Sequence, residues 1–85
     1  MELIKAWTKE KFGAEKWPHM DSWRFYYVTY PGRLNCACCC DDIERGTQIV
    51  EIYESKTMYI NNLYRFCQDC GEKLAEWHGI EIKPY

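Results

Sequence analysis

Three features of the chain predict a small α+β domain: runs of aromatic and β-branched residues at strand spacing, helical periodicity near both ends, and cysteines in two close pairs. Its 85 residues make a single domain, 1–85. Apolar burial alone leaves a domain of this size only marginally stable, so a further source of stabilisation is expected.

The cysteines supply it. Cys36 and Cys39 form one Cys-x-x-Cys pair and Cys67 and Cys70 a second, with 27 residues between them. Two thiolates separated by two residues can point inward from one tight turn and occupy two corners of a tetrahedron. A second such turn supplies the other two, which makes one closed structural Zn2+ site with Cys36, Cys39, Cys67 and Cys70 as ligands. The interval exceeds the about 15–20 residues of a compact ribbon and leaves room for a hairpin. Three disulfides are the competing reading of the six cysteines, and an iron–sulfur centre is another. Disulfides fit poorly, because Cys36, Cys38, Cys39 and Cys40 are too crowded to bridge one another easily.

Taken in order, residues 3–16 read as a helix, with Leu3, Ile4 and Trp7 at helical spacing among Lys, Glu and Ala. Pro18 disfavours helix at Trp17 and makes residues 17–21 a loop. Residues 23–30 are the clearest strand. Alternation places Trp23, Phe25, Tyr27 and Thr29 on one face and Arg24, Tyr26, Val28 and Tyr30 on the other. Pro31 and Gly32 mark a turn. A second strand is expected over 48–53 and a third within 58–66, joined by a hairpin loop at 54–57, with Asn61 and Asn62 as a bulge or further turn. A helix follows from Gln68 to His78, stopped by Gly79, with His78 at its negative end. Leu74 and either Ala75 or Trp77 should face the metal turn. Residues 80–85 form a tail able to add an edge strand through Ile80 and Ile82.

Cysteine turn, hairpin and cysteine pair at a helix start now stand in sequence. Cys36-x-x-Cys39 with Ile43 and Gly46 resembles the knuckle pattern Cys-x-x-Cys-Gly-x-x-Ile-x-x-Gly of the treble-clef zinc finger, and Cys67-x-x-Cys70-Gly71 resembles its closing pair. The resemblance implies a zinc knuckle, a β-hairpin and a C-terminal helix over 34–79, with 1–33 an added N-terminal helix and aromatic strand and 80–85 a tail. It also implies that Ile43 packs beneath the metal and Gly46 lets the chain turn into the hairpin. The chain departs from the pattern at Cys40, where glycine is usual, so a different local backbone is expected. Cys38 and Cys40 are surplus to four ligands, and either is near enough in sequence to substitute. The class is not informative about function, because treble clefs serve nucleic-acid binding, protein binding and catalysis.

Composition narrows the choice. The net charge is −2, and residues 35–54 carry Asp41, Asp42, Glu44, Glu51 and Glu54 against Arg45 alone, a local balance of −4. A zinc ion held by four thiolates brings the folded protein to about −4. There is no basic run for phosphate backbones, so the acidic charge disfavours nucleic acid, although a nucleic-acid-binding zinc finger is the alternative function, with Tyr-rich strands and Arg24, Arg33 and Arg65 to stack bases. Residues 1–5 show no basic-then-apolar leader and no membrane-length apolar run occurs, so a cytoplasmic setting without membrane is expected. No phosphate loop or nucleophile signature is present, and Asp41-Asp42 reads as a solvated acidic turn. An enzyme is not expected.

Four Trp, seven Tyr and three Phe are more rings than so small a core can hide. Trp7, Trp23, Phe25 and Tyr27 are candidates for a second core, while Tyr26, Tyr30, Tyr59 and Tyr64 are candidates for an exposed patch. With Asp41, Asp42 and Glu44, that patch predicts a protein-interaction module, a small adaptor or inhibitor that docks on a larger protein.

Overall fold

The computed structural model describes residues 2–54 and 63–84. Among these residues the elements are α1 (Glu2–Phe12), β1 (Trp23–Thr29), β2 (Leu34–Asn35), β3 (Asp42–Ile43), β4 (Gln48–Glu54), β5 (Leu63–Cys67), α2 (Gln68–His78) and β6 (Lys83–Pro84). They build an α+β domain in which two helices lie on one face of a four-stranded sheet, ordered β5-β4-β1-β6, with a small β2-β3 ribbon at its end. No helix among the described residues is long and apolar enough to cross a membrane.

α1 is shorter than the predicted 3–16. Gly13 takes the left-handed φ of 66° and its N–H donates to the Lys9 carbonyl at 2.7 Å, so the glycine ends the helix. The buried stripe also differs from the expected one. Leu3 points outward, 52% exposed, while Ile4 and Thr8 are fully buried and Thr8 Oγ1 donates to the Ile4 carbonyl at 2.8 Å. That internal bond removes the cost of burying the hydroxyl.

β1 pairs antiparallel with β4 from Trp23↔Glu54 to Thr29↔Gln48, and β4 pairs antiparallel with β5 from Ile49↔Cys67 to Tyr53↔Leu63. This register aligns Trp23, Phe25 and Tyr27 with Val50, Ile52, Tyr64 and Phe66 on the face that receives the helices. Trp7 of α1 meets that face edge-on, 5.0 Å from the Phe66 ring. α2 approaches so closely that a Cβ built on Gly71 would overlap the Val50 side chain, which explains a glycine inside the helix. The opposite face carries Arg24, Tyr26, Ile49, Glu51, Tyr53 and Arg65. Tyr26 and Tyr53 stack there at 5.7 Å, and Arg65 pairs with Glu51 at 3.1 Å while lying over the Tyr30 ring.

Rings dominate the packing under α1. Trp7, Phe12, Trp17, Trp23, Tyr64 and Phe66 form one connected cluster, with Phe12–Trp17 at 4.9 Å and Trp17–Trp23 at 5.0 Å. Trp23 and Phe25 are buried, and Trp7 and Tyr27 are half-buried. Trp17, expected only as a loop residue, lies at the centre of the cluster and is buried. Tyr64 belongs here too, against Trp7, Trp17 and Trp23, because its register places it on the helix-covered face.

α2 ends as the sequence predicts. Gly79 has φ 66°, its N–H donates to the Glu76 carbonyl, and the Ile80 N–H reaches the Ala75 carbonyl at 2.8 Å. Leu74 and Ala75 are its buried residues in this stretch, with Trp77 half-buried. The tail does add an edge strand, but parallel to β1 and through Lys83 and Pro84. Ile80 and Ile82, expected in that strand, instead pack half-buried against the core. The predicted loop at 54–57 lies, except for Glu54, outside the described residues, as do Asn61 and Asn62 and the start of the predicted third strand.

Candidate metal centre

Two local turns make the site. In the first, the Cys36 N–H donates to the Asp41 carbonyl and the Cys40 N–H to the Cys36 carbonyl, each at 3.0 Å, folding residues 36–41 back on themselves. Asn35 braces the turn, donating through Nδ2 to the Cys40 carbonyl at 3.3 Å and to Asp42 Oδ1 at 2.6 Å. The Ala37 N–H donates to the Arg65 carbonyl at 3.0 Å and anchors the turn to β5. In the second, Cys67 ends β5 and caps α2, with φ −60° and ψ 158°, and its sulfur accepts the Cys70 N–H at 3.5 Å.

The Sγ atoms of Cys36, Cys39, Cys67 and Cys70 all lie within 4.8 Å of one another. Cys39 Sγ and Cys67 Sγ, which bridge the two turns, are 3.8 Å apart. A tetrahedral ion with metal–sulfur bonds of about 2.3 Å needs sulfurs about 3.8 Å apart, so a small inward adjustment of the wider pairs completes the geometry. These four cysteines could hold a metal ion. Cys36 and Cys70 are buried, and Cys39 and Cys67 half-buried.

Electrostatics describe the same centre. Burial opposes ionisation of Cys36, yet backbone N–H groups, including those of Cys38 at 3.4 Å and Cys39 at 3.5 Å, outweigh it and hold this thiol below its ordinary value. Burial chiefly pushes Cys39 up to about 12 and Cys70 further up, with the neighbouring sulfurs adding to the shift at Cys70. One thiolate is thus favoured and its neighbours resist ionising beside it. A divalent cation reverses that balance, and its binding releases protons.

Cys38 and Cys40 lie outside the four-sulfur group. Cys38 is buried, its sulfur 3.8 Å from the Leu3 carbonyl, whereas Cys40 is exposed. Cys40 has a φ of 64°, the left-handed conformation that a glycine adopts freely. A cysteine therefore adopts a left-handed bend at the position where the treble-clef pattern has glycine. Ile43 is buried, and Gly46, at φ 84°, donates its N–H to the Tyr30 carbonyl at 3.1 Å as the chain enters β4.

The remaining candidates are dispersed. Asp41, Asp42 and Glu44 are exposed on the cysteine turn. Tyr26 shares the helix-free face with Arg65, whose guanidinium covers the ring of Tyr30 just beyond β1. Tyr64, expected in the same exposed patch, lies on the other face for the register reason given above, and Tyr59 is outside the described residues. His78 is a structural residue: its Nε2 accepts the Trp17 N–H at 3.2 Å, which leaves Nδ1 to donate to the Leu74 carbonyl at 3.2 Å. Spacing could not reveal that contact, because 61 residues separate its partners. Comparison of the chain with protein-family models, curated proteins and solved structures finds no match, so its functional reading rests on the geometry of its own residues.

Proposed function

We propose that this is a zinc-stabilised protein-interaction module, a small adaptor or inhibitor built on a treble-clef-like centre. The gathering of four sulfurs from two turns carries the reading. Four thiolates suit zinc, and with all four positions of a tetrahedron taken by protein no position is left for a substrate, so the metal's role is structural rather than catalytic. The treble-clef reading is supported by the order of parts: a knuckle between β2 and β3, the β4–β5 hairpin, and a closing pair at the start of α2.

The partner surface is the outer side of that centre. Asp41, Asp42 and Glu44 project from the knuckle beside the half-buried Cys67 and the exposed start of β4, close to Tyr30. A basic, aromatic-accepting surface on a larger protein complements this combination.

Native mass spectrometry with elemental analysis tests the first half: one zinc per chain is expected, whereas iron, no metal or disulfides would reject it. Alanine at Asp41, Asp42 and Glu44 together tests the second. Partner capture should fall while zinc content stays at one per chain, and capture equal to wild type would remove the acidic knuckle from the interface.

A further inference from the structure

The molecule carries an acidic formal charge, yet one cleft collects cations. Lys5 and Lys9 stand one turn apart on α1, and Lys16 joins them from the loop that follows. With Ala6 and the half-buried indole of Trp77 from α2 they line a cleft of about 380 Å3. Lys5 Nζ sits 5.8 Å from the centre of the Trp77 ring. Glu2 and Glu15 also line the cleft, three cations against two anions. Among the described residues, however, the ion pairs are Arg65–Glu51 and Lys73–Asp69, so neither glutamate neutralises a cleft lysine by direct contact.

Lys5 and Lys9 are like charges one helical turn apart, a spacing at which they repel. An anion entering the cleft relieves that repulsion. An indole under a lysine offers something different, a flat π surface on which a cation already rests and on which a planar ring can stack. The cleft is of small-molecule dimensions. We propose that it binds a nucleotide, its phosphate held among Lys5, Lys9 and Lys16 and its base stacked on Trp77, with Lys5 moving from the ring to the phosphate. The ligand is a free nucleoside monophosphate or one nucleotide of a single strand, which present the same chemistry. This site shares no residue with the four sulfurs or the acidic knuckle, so its failure leaves the metal and interaction reading standing.

The probes are adenosine monophosphate, adenosine, inorganic phosphate and a short single-stranded oligoadenylate, titrated into metal-loaded protein and followed by calorimetry and by the indole N–H resonances. Adenosine monophosphate should saturate the protein at millimolar concentration or below, shift the Trp77 indole signal, and bind more tightly than adenosine or phosphate alone. Lys9→Gln with Lys16→Gln, both exposed side chains, should weaken binding about tenfold at unchanged metal content. Trp77→Phe keeps a ring and should retain part of the affinity if Trp77→Leu compromises folding. Oligoadenylate binding tighter than the monophosphate identifies a strand as the source, and equal or weaker binding a free nucleotide. No saturation by about 10 mM monophosphate, binding indifferent to the two glutamines, or phosphate binding as well as the nucleotide would overturn the proposal.

Discussion

The sulfur cluster and the ring cluster meet on β5, where Cys67 follows Phe66 by one residue, and they hold the chain in opposite ways. Four sulfurs come from two turns, each closed by its own N–H to sulfur bonds. Six rings come from α1, the loop after it, β1 and β5, with no repeat in their spacing. The first arrangement is discrete, so losing one ligand removes much of the site. The second is distributed, and it tolerates imperfection: the buried indole N–H groups of Trp17 and Trp23 have no hydrogen-bond partner among the described residues. Leaving two donors unsatisfied costs roughly 1–3 kcal/mol each, so ring packing has to outweigh that cost. A metal site needs positions accurate to fractions of an ångström, whereas a packed ring cluster needs mainly volume and shape.

The sharpest way to break the comparison is to strip the proposed site of metal. Structural zinc contributes on the order of 10 kcal/mol to folding, more than a small core supplies, so a strong chelator should abolish the cooperative thermal transition followed by circular dichroism. A transition that persists with little change would show that the rings hold the domain alone. Next comes Trp17→Ala, which empties the centre of the ring cluster and should cost about 3–5 kcal/mol in denaturant unfolding. Metal stoichiometry measured on the folded variant should stay at the wild-type value, since the cysteine turns do not involve Trp17. Loss of metal from folded variant protein would show that the two clusters are one cooperative unit.

Cys40→Gly acts in the other direction. Relieving a non-glycine side chain from φ 64° should raise stability by about 1 kcal/mol, after allowance for the freer unfolded chain, and a chemical denaturation midpoint that fails to rise would show the turn to be relaxed already.

The smallest effect concerns pH. Burial, the largest influence, together with the nearby Lys16, holds the folded His78 below its ordinary value of 6.5, against the opposing Leu74 hydrogen bond. The unfolded chain therefore takes up a proton first as pH falls. The stability due to neutral His78 is complete above 6.5 and declines as pH drops through the lower folded value. Wild type should lose more stability than His78→Gln between about pH 7 and pH 5, with parallel curves as the contrary result.

The same contrast explains what could be read from the chain. The clustering of Cys36, Cys39, Cys67 and Cys70 was legible because two short Cys-x-x-Cys spacings each close a tight turn, and the α2 stop at Gly79 because a left-handed cap favours one residue type. Residues in β1 alternate as strands require, so its two faces were also readable. Trp17 was not, since nothing local distinguishes a loop tryptophan that enters the core from one that does not. Tyr64 was misplaced because its face depends on the β4–β5 register, which spacing within one strand does not specify. Leu3 and Ile4 are equally apolar neighbours, and only the position of the sheet decides which one faces inward.

The pairing of Ile49 with Cys67 has a consequence for how the chain avoids folding wrongly. In a strand, a slip of one residue turns every side chain to the opposite face. A slipped β5 would carry Cys67 to the helix-covered face of the sheet and move its sulfur away from Cys39, which now lies 3.8 Å from it. The same slip would carry Arg65 into the ring cluster and Phe66 out of it, so burial opposes it as well. An ion bound by the four cysteines would add to that discrimination, since a slipped hairpin presents an incomplete set of ligands. If the proposed site fills during folding, metal capture would reinforce strand alignment, rewarding the one pairing that brings a sulfur from the far end of the hairpin to the knuckle.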